Sequence, residues 1–389
     1  MTSISITPEN LEQLDSFIAL SRGNYSDSST KQELIIDTIL AYPNELIFAS
    51  NIDFERYMDT GDSTILTDDG KYGFIHMLSR FSYHELLKKL LEYPMTDPNV
   101  YTKYGCTVLI DYLIYSKPKT NIKIYRQLLS HPKIDPNMKT EDGWAALIIA
   151  SRYFQIECLK ELLKHSKTDI NIQTNDNMTA LMFASRYSIV EAVRELLSDP
   201  NIDPNLQNKN GTTALMLASR HSTRNVLNEP EGVFTVQSKN KIYSKPFKTL
   251  TVRELLAHPK LDPNVQNKDG LTALMWASAC SNTTSSHETV AELLLHPKID
   301  PNVKCIESFT ALMIATMYST TNSSIETVRE LLSHPKIDRK VKEKEGFTAF
   351  MLAALEYTKI EQPTLQDKEH FDELMSLFKN TNRETVRIS

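Results

Sequence analysis

Asp262-Pro263-Asn264-Val265-Gln266-Asn267-Lys268-Asp269-Gly270-Leu271-Thr272-Ala273-Leu274-Met275-Trp276-Ala277-Ser278 decides the fold, because it is not unique. Close copies begin at Asp97, Asp135, Asp169, Asp203, Asp300 and Asp338. Taken with Asp262, these starts are spaced by 38, 34, 34, 59, 38 and 38 residues. The short unit is therefore 34 residues, and longer ones carry insertions of 4 or 25. A stacked array behaves as one extended body, so a length of 389 residues does not require two or three separate domains.

Every copy reads alike. Gln266-Asn267-Lys268-Asp269-Gly270 is a polar turn that supplies Asn, Asp and Gly where φ must be positive. Thr272 follows as a helix N-cap. Ala273, Leu274, Ala277 and Ser278 lie on a short helix whose small residues let a neighbour approach. Thr289 to Leu295 is a second helix with apolar residues at three- and four-residue spacing, ended by Pro297. Ile299 to Val303 then runs extended into the next turn.

A unit of this size, with a turn, two antiparallel helices and a Thr-Pro-Leu-His-x-Ala-like start, resembles the ankyrin repeat. Thr-Ala-Leu-Met-x-Ala stands at Thr179, Thr213, Thr272 and Thr310. The resemblance covers about residues 61–357 and implies an all-α repeat solenoid with β-hairpin-like extended turns. Departures are systematic. Ala273 replaces the family's proline and Met275 its histidine, and Ala145 stands at the Thr position and Asn177 at the Gly. The His-Pro-Lys-Ile-Asp-Pro-Asn exits resemble those of ankyrin proteins from large DNA viruses and intracellular parasites, which implies host-pathogen contact in a host cytoplasm or nucleus. The Trp, Leu-Gly and Tyr marks of a tetratricopeptide unit are absent.

The ends are less regular. Residues 1–60 read as a helical cap or degenerate repeat, with helices over Leu11–Leu20 and Glu33–Tyr42. The array follows over 61–360, with Gly70 to Pro94 as a weak copy. Its largest insertion, about 221–248, alternates polar and apolar residues as a β-hairpin would. Residues 361–389 read as a polar loop, a capping helix over Phe371–Phe378 and a frayed tail from Asn380. Tyr42-Pro43-Asn44-Glu45-Leu46-Ile47 resembles the start of an F-box segment, which implies an alternative role as an adaptor to a ubiquitin-ligase-like machine.

A net charge of -6 lacks the basic excess of a nucleic-acid binder. No apolar run reaches the roughly 18 residues that span a bilayer, and the N-terminus has no signal-peptide pattern. Cys106, Cys158, Cys280 and Cys305 are far apart, as expected of thiols in a reducing compartment, so a cytoplasmic protein is expected.

No phosphate loop, nucleophile elbow or metal motif is present, so neither enzymatic activity nor a cofactor is expected. His131, His258, His296 and His334 precede Pro at equivalent places, and His165 precedes Ser166. A partly positive ring at a helix C-terminus favours the dipole and can bond a free carbonyl. Packed units hold such rings about 8–10 Å apart, too far to share a metal.

Binding residues are sought where copies differ. Arg152-Tyr153, Arg186-Tyr187 and Arg220-His221 recur at steps of 34 and end the first helix. The family pattern places them beside the concave groove, where Arg and Tyr make good anchors. Trp144, Met178 and Phe309 vary at the hairpin tips. The expected partner is another protein with an acidic surface, bound by a monomer.

Overall fold

The computed structural model describes Ile47, Phe48, Asp53, Arg56 and residues 72–92, 96–115, 122–222, 249–319, 321, 323–360 and 362–384. The expected N-terminal helices, the hairpin within the largest insertion and the last five residues lie outside the described residues. The chain divides into two compact units, one running to Asn175 and one starting at Asp176.

The first unit opens with an antiparallel pair, β1 (Ile47–Phe48) and β2 (Tyr72–Gly73), Ile47 facing Gly73. Ile47, the last residue of the F-box-like stretch, is thus in a strand. Six helices follow: α1 (Phe74–Arg80), α2 (His84–Glu92), α3 (Val108–Tyr115), α4 (Ile122–Leu129), α5 (Ala146–Arg152) and α6 (Ile156–Lys164). The second unit holds α7 (Ala180–Arg186), α8 (Val190–Leu197), α9 (Ala214–Arg220), α10 (Leu250–Leu256), α11 (Ala273–Cys280), α12 (His287–Leu294), α13 (Ala311–Met317), α14 (Ile325–Ser333), α15 (Ala349–Thr358) and α16 (Leu365–Glu384). Among the described residues the fold is therefore all-α apart from β1 and β2.

Each unit packs two rows of helices. α1, α3 and α5 stack as an inner row and α2, α4 and α6 as an outer row. The second unit repeats this with inner α7, α9, α11, α13 and α15 and outer α8, α10, α12, α14 and α16. The inner helices bury almost everything except on α15, where Phe350, Met351 and Leu355 are exposed. Ala273, Leu274 and Met275 are each about 1% exposed, because a helix lies on either side. Thr179, Thr213, Thr272, Thr310 and Thr348 each accept from the N–H three residues on, as the sequence requires of caps. Ala145 leaves that bond unmade.

Turn chemistry fixes the spacing between units. Gly211 and Gly270 have φ of 76°, and a Cβ there would sit 2.8 and 2.7 Å from the backbone nitrogens of Lys268 and Ile306. Those N–H groups donate to Asn210 and Asp269 carbonyls, so successive tips are hydrogen-bonded through the space that glycine vacates. Asn177 and Ser308 adopt the same positive φ without glycine.

The Asp-Pro-Asn exit holds one repeat to the next. Asp262 Oδ1 accepts from the Asn264 N–H at 2.9 Å and closes a local turn. Asn264 Nδ2 then donates to the Lys298 carbonyl at 2.7 Å, and its Oδ1 accepts from the Asp300 N–H at 2.8 Å. Asn99, Asn137, Asn205 and Asn302 make the same two bonds to the repeat that follows. The lysines reach the other way: Lys167, Lys260 and Lys336 donate to Pro132, Pro200 and Pro297 carbonyls. Asp338-Arg339-Lys340 keeps the local turn. Lys340 stands at the Asn position, and among the described residues no later Asp-Pro-Asn exit follows it.

Two expectations are corrected. At His131, His258, His296 and His334 the surroundings disfavour a positive ring. Nδ1 of His131, His165, His296 and His334 accepts from the lysine N–H two residues on, at 3.2–3.4 Å. Burial first, then the neighbouring lysine, lowers the pKa of His131, His258, His296 and His334. The last helix is longer than Phe371–Phe378 and passes through Asn380. Thr364 caps it: its hydroxyl accepts from the Asp367 N–H, and the Asp367 carboxylate accepts from the Thr364 N–H.

Asn264→Ala should cost about 1–3 kcal/mol in urea unfolding, from two lost bonds, whereas Lys340→Ala should change stability by less than about 0.5 kcal/mol. The lowered histidines favour the neutral ring in the folded state. Their contribution is present above the unfolded pKa of about 6.5 and is lost as pH falls below it. The melting temperature should therefore drop between about pH 7 and 5, with a shallower drop in His296→Asn.

Candidate functional site

Arginine ends three inner helices, α5, α7 and α9, and also α1, where the register places Arg80. A cation in the last turn meets the negative helix end. The four have different surroundings.

Arg80 is enclosed. Its Nη2 lies 2.6 Å from Asp111 Oδ1 and its Nε donates to Oδ2 at 3.3 Å. The guanidinium lies over the rings of Tyr72 and Tyr115, 4.3 and 4.0 Å from their centres. Both side chains of the ion pair are buried. Beside it, burial pushes the Cys106 thiol up to about 11, with Asp111 adding to the effect, so this thiol is not a nucleophile at neutral pH. Burial likewise lifts Cys158 to about 12.

Arg152 lies 5.5 Å from the Trp144 ring and 5.6 Å from Tyr153, all three half-buried. Arg186 lies 5.9 Å from Tyr187. Arg220 is exposed, and its guanidinium stacks 4.2 Å above Trp276 of the next inner helix. Among the described residues no carboxylate pairs with Arg220. The outer face differs: Arg126, Arg194, Arg253 and Arg329 reach Glu161, Glu254, Glu292 and Glu373 at 2.7–3.0 Å.

The expected site residues thus separate by environment. Arg152, Tyr153, Arg186 and Arg220 reach the surface, while Tyr187 and His221 are buried and can act only by packing. Trp144 is not a bare tip anchor, since Arg152 lies near it. Met178 is half-buried and its sulfur accepts from Asn208. Phe309 is half-buried, and the exposed tips are Tyr104 and Ile306. Trp276 escaped sequence reasoning because it fills a position held elsewhere by Ile149, Phe183, Leu217, Ile314 and Leu352, all apolar. Arg80 was legible from the register alone.

One cluster imitates a catalytic trio. His370 Nε2 lies 3.2 Å from Ser319 Oγ, with Asp367 one turn away. Yet the Ser319 hydroxyl donates to the Thr316 carbonyl, so it can only accept from His370. Asp367 is committed to Thr364. The trio seats α16 and does not activate a serine. Among the described residues no group of three or more metal-ligating side chains forms, and no helix is long and apolar enough to cross a membrane.

Known proteins agree with this geometry. A family model described as ankyrin repeats (3 copies) matches residues 75–174, 154–229, 244–318 and 279–362, well over half of the chain. The chain belongs to the ankyrin-repeat family. The ankyrin repeat domain of Bcl-3, described as a unique member of the IkappaB protein family, is similar in structure, with a TM-score of 0.50 at 19% identity. The match covers 66% of this chain and 96% of that one. An ankyrin repeat domain from Acinetobacter baumannii AYE matches with a TM-score of 0.46 at 20% identity, over 61% of this chain and 97% of that one. No curated protein matches the chain. Ankyrin repeats generally serve as protein-protein interaction modules.

Removing one partner of a buried ion pair strands the other charge. Asp111→Ala should cost about 3–5 kcal/mol in urea unfolding. The joint change Arg80→Met with Asp111→Leu should recover most of that loss.

Proposed function

We propose that this chain is a monomeric, non-catalytic scaffold in a cytoplasm or nucleus that holds another protein, one with an acidic surface, against its inner helices and hairpin tips. Arg220 carries the reading. Its guanidinium is exposed on the inner row and has no carboxylate partner among the described residues, whereas outer-row arginines have glutamates. An arginine held on an aromatic face loses little freedom on binding and offers forked donors to a carboxylate. Arg186 occupies the same register on the preceding inner helix of the second unit, and Arg152 the same register within the first unit. Nothing in the mechanism requires a cofactor: binding comes from many weak contacts on a rigid surface.

Affinity capture from cell extract tests it. The triple Arg152→Glu, Arg186→Glu and Arg220→Glu variant should lose the captured proteins, while Arg253→Glu on the outer face should keep them. Circular dichroism must show both folded. Unchanged capture by the folded triple variant would refute the groove reading.

A further inference from the structure

We propose that the inner row of the second unit reads a short two-point signal in an extended partner segment. An Asp or Glu of the segment is taken by Arg220 on Trp276. An apolar residue about five or six positions away is seated at Met317. The inference rests on the groove reading above and adds the chemistry and spacing of the ligand.

The chain itself contains the model for the first point. Arg80 and Arg220 share a register, and each reaches the fourth residue of the next inner helix. For Arg80 that residue is Asp111, which forms a two-point ion pair while Tyr72 and Tyr115 lie against the guanidinium. For Arg220 it is Trp276, which covers one face and supplies no charge. Stacking uses the plane of the guanidinium and leaves its N–H edges free, and that edge matches a carboxylate. Packing alone does not ask for tryptophan here. From α5 onward the equivalent residues are Ile, Phe or Leu, and the Trp276 indole N–H is buried with no hydrogen-bond partner among the described residues. What the indole adds over leucine is the broad face under Arg220.

The second point follows from the row. Positions equivalent to Arg220 in the next three inner helices are Ala279, Met317 and Leu355. The row therefore passes from a cation, over a small residue, to apolar side chains. Met317 also lines a cleft of about 210 Å³ with Tyr357, Phe371 and Leu374, beside Glu356 and His370. A cleft of that size suits one side chain, since ligand pockets run to about 300–1,000 Å³. From α9 to α13 there are two helix spacings of about 8–10 Å each. An extended chain advancing about 3.3–3.6 Å per residue covers that in five or six residues.

The test selects binders for the full-length protein from a random 12-residue peptide library. Synthetic copies are then titrated against a Trp144→Phe variant, in which Trp276 is the one indole left. Selected peptides should be enriched in Asp or Glu with an aliphatic or aromatic residue five or six positions away. Their binding should change Trp276 fluorescence, fall at least tenfold in Arg220→Gln and in Met317→Glu, and fall less in Arg220→Lys. Arg220 is exposed, so the melting temperature of Arg220→Gln should be unchanged. Peptides without a carboxylate, without the spacing, or indifferent to Arg220→Gln overturn the proposal, as does failure to select any binder. If carboxylate-free peptides still lose binding in Met317→Glu, the groove reading survives and only the ligand chemistry falls. If no inner-row change matters, both fall.

Discussion

The Asp-Pro-Asn exit is the contact on which the stack depends. A single 34-residue pair of helices has an apolar face it cannot cover alone. Burying that face requires the next unit at the correct height and register. Asn264 sets both, because one amide spans the Lys298 carbonyl and the Asp300 N–H of the following unit. Glycine at the tips and lysines reaching back to proline carbonyls complete the spacing. With the spacing fixed, Ala-Leu-Met helices interlock in the interior and their C-terminal residues line up along one row.

That division of labour explains where function can lie. Residues that recur make turns, caps and clamps, and are used up within the fold. Histidines belong to this group: Nδ1 of His131, His296 and His334 accepts from the lysine N–H two residues on and helps shape the turn. What remains free to differ is the row of inner-helix ends. Arg80 shows such an arginine satisfied from within, by Asp111 and two tyrosines. Arg220 shows one only half satisfied, by Trp276. The difference between those two surroundings is the most informative contrast in the molecule.

Most of the architecture was legible in the sequence, because turns, caps and glycines demand particular residue types at fixed spacing. Thr272 and Gly270 were read correctly for that reason. What failed needed neighbours that spacing does not reveal. The histidine charge was misread because burial and a lysine N–H decide it. The start of α16 was read as a loop because Thr364 and Asp367 look like any polar pair until they cap each other. Trp276 passed as one more apolar residue, since its partner Arg220 lies 56 positions earlier. Tyr187 and His221 kept the register of surface residues but turn inward.

Amide hydrogen exchange at Asp262, Asp300 and Asp338 tests the central claim most directly. Each of these N–H groups is exposed in location yet donates to the asparagine of the preceding repeat. If the asparagine clamps hold the stack, all three exchange slowly, and Asn264→Ala releases Asp300 while Asp338 stays protected. Exchange at Asp300 as fast as in an open loop in the unaltered protein, or unchanged by Asn264→Ala, would contradict the account.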